Sequence, residues 1–259
     1  MGILSKFQLT DRVAIVTGAG MGIGKGIALG LAEAGAHVVV VARTVEHVEA
    51  TAADVRALGR KALALPTDVR NAEQVQGMVQ KTITEFGRVD ILVNNVGGGG
   101  FPAPFTKISE NRWDSVLRQN LKTCFLCTQA VLGTMMERKS GVIVNIASGA
   151  GLVGTPHQSA YGAAKAAIIN LTETLASELA PFQIRVNCIA SGPIETEGIK
   201  EIMTEAYQAE LISNLAVKRM GTPQDIAAAT IFLASDASEW VTGGTFQIDG
   251  GYRCPHMRF

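Results

Sequence analysis

Tyr161 and Lys165 lie four residues apart within Ser159 to Leu179, a stretch whose apolar spacing is helical. Residues at i and i+4 share one helix face, so the phenol and the ammonium point the same way. A free tyrosine titrates near ~10 and transfers protons poorly at neutral pH. A neighbouring ammonium favours the phenolate and lowers that value, which fits Tyr161 for giving and taking a proton. Ser148 follows the apolar run Val142 to Ala147, where its hydroxyl could hold a substrate oxygen beside the tyrosine proton. Together these side chains suit the interconversion of an alcohol and a carbonyl. Tyrosine and lysine at this spacing are commonly mere neighbours, so the assignment needs a second feature elsewhere in the chain.

That feature is Thr17-Gly18-Ala19-Gly20-Met21-Gly22-Ile23-Gly24, which joins the apolar run Arg12 to Thr17 to a helical pattern from Gly22 to Ala34. Glycines here allow a tight turn and bring backbone close to a pyrophosphate at the helix N-terminus. The end of the second apolar run, His37 to Ala42, selects the dinucleotide. An acid there would bind the ribose hydroxyl and repel a phosphate. Instead Arg43 follows Ala42, with no acid before Glu46, and its planar fork can pair with a 2′-phosphate. The expected cofactor is therefore NADP(H). No second base stands in the glycine turn, where Met21 sits, so NAD(H) is accommodated as well. Asp68 either accepts a hydrogen bond from the adenine amino group or caps the next helix near Asn71.

The elements that must position these groups alternate along the chain. Apolar runs at Arg12–Thr17, His37–Ala42, Ala62–Pro66, Val89–Asn94, Val142–Ala147 and Ile184–Ile189 are separated by helical patterns. Those patterns cover Gly22–Ala34, Val45–Leu58, Ala72–Phe86, Glu110–Glu137 and Ser159–Leu179. Strands without polar alternation belong to a parallel sheet with helices on both faces, a doubly wound α/β fold. Its ligand site lies at the carboxyl ends of the strands. No linker divides the chain, so 1–259 is expected to form a single domain. Substrate contacts are expected from Gly97–Phe105, which begins with a tetraglycine, from Gly149–Ser159 and from the segment after Thr196. Within 194–215, Ile199, Ile202, Met203, Tyr207, Leu211 and Leu215 recur at roughly helical spacing. They make either a lid over a hydrophobic substrate or an amphipathic helix packed on its own domain. His157 reads as a loop or helix-start residue rather than a second base.

Composition narrows the rest. Basic and acidic residues both number 23, leaving no basic footprint for nucleic acid. No apolar run approaches the ~18 residues of a membrane span, and Met1 to Asp11 lack a signal-peptide core. A soluble, cytoplasmic protein without membrane partners is expected. Cys124, Cys127, Cys188 and Cys254 show no disulfide framework. The Cys124-x-x-Cys127 pair lies in a helical pattern without a second ligand pair, so it reads as two small helix residues and no metal is expected.

With these features in place, the sequence resembles the short-chain dehydrogenase/reductase family from about Leu9 to Tyr252. The likeness is carried by the Thr17–Gly24 turn, Asp68-Val69, Asn94-Asn95-Val96-Gly97, Asn120, Ser148, Tyr161-x-x-x-Lys165 and Gly192-Pro193-Ile194-Glu195-Thr196. It implies a Rossmann-type sheet of seven parallel strands and hydride transfer at a nicotinamide. It makes Tyr161 the proton donor or acceptor and Ser148 the group that orients the substrate. By the same likeness Lys165 binds the nicotinamide ribose and tunes Tyr161, while Asn120 holds a water on the path to solvent. Asn95, Gly97, Gly192, Ile194 and Thr196 join the cofactor contacts. The resemblance further implies a homotetramer and a substrate among 3-oxoacyl thioesters, hydroxysteroids or similar carbonyl compounds. The enoyl-reductase branch spaces its tyrosine and lysine seven apart, so the spacing here argues against C=C reduction. Two positions depart from the family's habit. Val96 replaces an alanine, and Ser191-Gly192 replaces Pro-Gly, which is expected to loosen the loop beside the nicotinamide. A dinucleotide-binding sensor or scaffold without turnover is the alternative, disfavoured because Asn120, Ser148, Tyr161 and Lys165 are all present.

Overall fold

Residues 2–98, 102–200 and 203–252 are described by the computed structural model. Gly99, Gly100, Phe101, Ile202 and the tail from Arg253, including Cys254, lie outside them. Seven strands form one parallel sheet: β1 Val13–Thr17, β2 His37–Ala42, β3 Ala62–Pro66, β4 Ile91–Asn94, β5 Gly141–Ser148, β6 Ile184–Ser191 and β7 Thr245–Ile248. Their spatial order is β3-β2-β1-β4-β5-β6-β7. The chain walks outward from β1 to β3, then returns to lay β4 on the other side of β1. At that reversal the connections diverge and leave a crevice at the carboxyl ends of β1 and β4.

Helices cover both faces, and the strands show why. Ala14, Val16, Val38 and Val40 point into one core with α1 (Gly22–Glu33), α2 (Val45–Ala57) and the late helix Pro223–Ala234. The intervening Val13, Ile15, Val39 and Val41 point into a second core with α3 (Ala72–Phe86) and two further helices, Thr123–Glu137 and Ser159–Leu179. Because neither face meets water, the strands read as unbroken apolar runs. In chain order the remaining helices are α4 Glu110–Leu117, α5 Thr123–Glu137, α6 Ser159–Leu179, α7 Glu197–Lys200, α8 Glu205–Ser213 and α9 Pro223–Ala234.

The long helix expected over Glu110–Glu137 is interrupted. Between α4 and α5 the chain makes one wide π-helical turn, Arg118–Lys122. Six strands and the early helices follow the pattern of the sequence. By contrast, α9 and β7 were not read from periodicity, and the seventh strand was implied only by resemblance. Thr222 opens α9 with a reciprocal cap, its hydroxyl accepting from the Asp225 N–H while the Asp225 carboxylate accepts from the Thr222 N–H. The helix then seats on α1. Gly26 lies so close to Pro223 that a side chain has no room, and a Cβ on Gly30 would stand 2.9 Å from that of Ala227.

Asp90 secures the opposite end of the sheet. Its side chain is 1% exposed, and its carboxylate accepts from the Val13 N–H at 2.9 Å, Arg88 Nε at 2.8 Å and Arg138 Nη2 at 2.9 Å. Burial pushes this carboxyl up, but the hydrogen bonds from Arg88, Val13 and Arg138 outweigh it and hold the group below the ordinary carboxylate range. A depressed carboxyl stabilises the fold above its unfolded titration and loses that contribution as pH falls through its folded value. Asp90→Asn should therefore cost about 2–4 kcal/mol near pH 7, and less as the medium is acidified below about pH 4. Urea unfolding at a series of pH values checks this; equal losses at all pH values would contradict it.

Candidate active site

β4 stops at Asn94, paired with Asn145, while β5 continues along β6 to the Ser148–Ser191 pair. The Val142 N–H donates to Asp90 on the β4 side, and alternate residues of a strand face the same neighbour. The Ile146 carbonyl thus faces the β4 side just past the point where β4 ends. Lys165, from α6, fills that position: its Nζ donates to the Ile146 carbonyl at 2.8 Å and is 5.6 Å from the centroid of the Tyr161 ring. The lysine is 3% exposed, and two of its three N–H donors remain for a ligand. Below it, Asn94 Nδ2 donates to Thr128 Oγ1 and Asn145 Oδ1, and Asn145 Nδ2 to Thr172 Oγ1, each at 2.9 Å. Thr172 lies two turns along α6 from Lys165, so this buried chain ties α6 to β4 and β5.

The π-helical turn places Asn120, fully buried, beside the loop after β4. Its Nδ2 donates to the Val116 carbonyl at 2.9 Å and to the Gly98 carbonyl at 3.0 Å, and its Oδ1 accepts from the Gly98 N–H at 3.1 Å. Both amide hydrogens are spent. A water at Asn120 would use the remaining Oδ1 lone pair, or the backbone carbonyl beside the 3.0 Å bond it accepts from Thr123 Oγ1. Gly97 is locked between these groups: a Cβ there would stand 2.5 Å from Asn120 Oδ1 and 2.8 Å from Lys165 Nζ. Ser148 ends β5, and its Oγ accepts from the Ala150 N–H at 3.2 Å, leaving the hydroxyl proton available.

A cleft of about 430 Å³ runs from these residues to the ends of β2 and β3. Gly18, Gly20, Met21, Gly22, Ile23 and Gly24 form its floor. Gly18 and Gly22 adopt φ of 67° and 54°, which side chains resist. Met21 precedes α1 without supplying a side-chain cap, so the first N–H groups of that helix are open to an anion. Asn95 fixes the turn against β4, its Nδ2 donating to the Thr17 carbonyl at 3.0 Å. This cradle fits the pyrophosphate of a dinucleotide. Arg43 lines the far end and makes no hydrogen bond or ion pair among the described residues.

Asp68 also lines that end but is engaged. Arg70 Nε donates to its Oδ1 at 2.9 Å and Arg70 Nη2 to its Oδ2 at 2.6 Å. That pairing, opposed by partial burial, holds the Asp68 carboxyl at about 2. Asp68 does not cap α3. Asn71 does, its side chain accepting from the Gln74 N–H at 3.1 Å, because it is the residue directly before the first helical turn.

Of the residues singled out from sequence, Gly18, Gly20, Met21, Gly22, Ile23, Gly24, Arg43, Asp68, Val69, Asn95, Val96, Gly97, Tyr161, Lys165 and Thr196 face one cleft. Asn120, Ser148, Gly192 and Ile194 stand behind or beside its wall. Ser191, placed beside the nicotinamide from sequence, lines it too, as do Thr44, His47, Thr67, Arg70, Gln119, Ile146 and Ala147, which the sequence does not point to. A serine keeps the N–H that proline lacks, so Ser191 continues β6 in register with Ser148 and Ile248, and its Oγ donates to the Ala147 carbonyl at 3.3 Å. In 194–215, Leu211 and Leu215 are buried whereas Tyr207 is 53% exposed. A bridge between Ile194 and Gly221 closes the base of that segment. His157 takes a left-handed φ of 65°, and its carbonyl accepts from the Ala103 N–H at 3.0 Å. Cys124 and Cys127 are buried in α5, and burial pushes both thiols up to about 12.

Known proteins are similar to this chain in sequence and fold. A family model described as enoyl-(acyl carrier protein) reductase matches residues 18–253. A (2S)-[(R)-hydroxy(phenyl)methyl]succinyl-CoA dehydrogenase subunit of Thauera aromatica is 45% identical over 94% of this chain and 97% of its own. A 3-oxoacyl-[acyl-carrier-protein] reductase of Synechocystis is 42% identical over 94% and 97%. Among solved structures, a short-chain type dehydrogenase/reductase from Mycobacterium marinum superposes with a TM-score of 0.93 at 36% identity, covering 98% of this chain and 100% of that one. A 7α-hydroxysteroid dehydrogenase complexed with NADH and 7-oxo glycochenodeoxycholic acid gives 0.93 at 35%, covering 97% and 98%.

Gly97→Ala should displace Lys165 or Asn120 and weaken dinucleotide binding about tenfold or more, with the far-UV circular dichroism retained. Calorimetric titration of the variant with NADPH and NADH checks it; unchanged affinities would show that the loop yields at no cost.

Proposed function

The chain belongs to the short-chain dehydrogenase/reductase family, and on that premise we propose that it reduces a ketone to a secondary alcohol with NADPH, and runs the reverse with NADP. Membership makes it an NAD(P)-dependent oxidoreductase acting on alcohol or carbonyl groups. The observation that carries the reading is the meeting of Tyr161 and Lys165 with the glycine turn in one cleft. Bound there, the nicotinamide supplies or accepts the hydride. Tyr161 delivers the proton to the carbonyl oxygen and recovers it in the reverse direction. The Lys165 ammonium, held by the Ile146 carbonyl, favours the phenolate left behind. Ser148 donates its free hydroxyl proton to the substrate oxygen, and Asn120 keeps the Gly98 loop in place with a water beside it.

NADP(H) is favoured by Arg43, whose guanidinium lines the cleft without a protein partner among the described residues. The substrate classes to test first are 3-oxoacyl thioesters and oxosteroids. Relatives are named for a (2S)-[(R)-hydroxy(phenyl)methyl]succinyl-CoA dehydrogenase subunit, a 3-oxoacyl-[acyl-carrier-protein] reductase and a 7α-hydroxysteroid dehydrogenase. The four-residue spacing of Tyr161 and Lys165 supports C=O rather than C=C reduction, despite the description of the matching family model. Residues 194–215 serve in this reading as a lid hinged at the Ile194–Gly221 bridge, on a single domain spanning 1–259. A cytoplasmic homotetramer completes it, with Phe125, 47% exposed on α5, on the surface between subunits. Among the described residues no helix is long and apolar enough to cross a membrane.

Consumption of NADPH and NADH is the decisive assay, run with ketones, 3-oxoacyl thioesters and oxosteroids. Tyr161→Phe should lower turnover by about 10²–10⁴-fold with NADPH affinity retained. Arg43→Asp should transfer the preference to NADH. Tight NADPH binding without turnover of any substrate would instead mark a sensor.

A further inference from the structure

β2 and β3 end side by side, with Ala42 paired to Pro66, so the turns that follow them form one wall of the cleft. One turn contributes Arg43, Thr44 and His47, the other Thr67, Asp68, Val69 and Arg70. A carboxylate offers roughly four in-plane acceptor positions. Arg70 turns three N–H groups to them: Oδ1 accepts from its backbone N–H at 3.0 Å, Oδ2 from its Nη2 at 2.6 Å, and the single Nε hydrogen is shared between Oδ1 at 2.9 Å and Oδ2 at 3.1 Å. Paired this way, both Asp68 oxygens are engaged, so an adenine amino group must compete with Arg70 for them. Side chains of Arg70 and Asp68 are 42% and 30% exposed, so the pair lies within reach of a ligand and can be exchanged at small cost. Arg43 and Arg70 line the same wall, at the end of the cleft formed where β2 and β3 stop.

Resting on the NADP(H) reading above, we propose that Arg70 is a second specificity-determining residue, one that works by exchange. Adenine takes Asp68, and the displaced guanidinium joins Arg43 on the 2′-phosphate. NADH displaces Arg70 equally but offers it no phosphate in return. Arg70 therefore favours NADPH and penalises NADH, whereas Arg43 acts on NADPH alone.

Dissociation constants of NADPH and NADH, measured by calorimetry on the full chain and on Arg43→Ala, Arg70→Ala and Arg70→Lys, test this. Arg70→Ala should bind NADH about threefold more tightly and NADPH about threefold more weakly, contracting the ratio about tenfold. Arg70→Lys keeps a charge for the phosphate but loses the fork on Asp68, so NADPH affinity should stay near that of the unmodified chain while NADH gains. If the unmodified chain prefers NADPH and Arg43→Ala removes that preference, but Arg70→Ala moves both cofactors by the same factor or neither, the exchange is wrong and the NADP(H) reading stands. If the unmodified chain binds both cofactors equally, the reading and the exchange fall together.

Discussion

A mismatch in strand length governs this protein's chemistry. Had β4 run as far as β5, the Ile146 carbonyl would belong to the sheet and Lys165 would have no anchor. Because β4 stops at Asn94, one backbone acceptor is left at the edge of the crevice, and a lysine from α6 occupies it at 2.8 Å. That bond fixes the ammonium against Tyr161 and against Gly97, which must lack a side chain to pass between Lys165 and Asn120. The same gap admits the dinucleotide. In the proposed reaction, cofactor site and proton-transfer site are therefore two uses of one short strand.

Two aspartates show how surroundings assign different work to one chemistry. Each pairs with arginine and each carboxyl is held below its ordinary range. Asp90 is buried, bound by two arginines from different elements and by the Val13 N–H, so its charge is a fixed joint between β1, β4 and the end of α5. Asp68 is partly exposed and bound by a single arginine two residues away, which leaves its charge negotiable. Depth of burial and number of partners separate structural charge from charge available for recognition.

The sequence made the sheet largely legible because strands covered on both faces leave uninterrupted apolar runs, as Val38–Val41 does. Tyr161 and Lys165 were legible because helical spacing alone brings them to one face. Other features leave weaker traces. The π-helical turn at Arg118–Lys122 keeps a helical composition, so nothing in its periodicity announces the break that positions Asn120. β7 has only four residues, none fully buried, and lacks the density of the inner strands. A usable sign for α9 was Thr222-Pro223-Gln224-Asp225, whose cap-and-proline order marks a helix start. Arg70 carried no sign at all, since its pairing with Asp68 depends on the path of a turn rather than on a repeat.

The contact between α1 and α9 also bears on how the chain is made. The glycine face of α1, which carries the dinucleotide turn at its start, is covered by Pro223 and Ala227, nearly two hundred residues later. A nascent chain on the ribosome can pair β1 with β2, but it leaves that face bare until the last helix has emerged. Productive closure of the cofactor half therefore waits until α9 has been made. Until then the partly built domain leaves the apolar face of α1 uncovered by its partner helix.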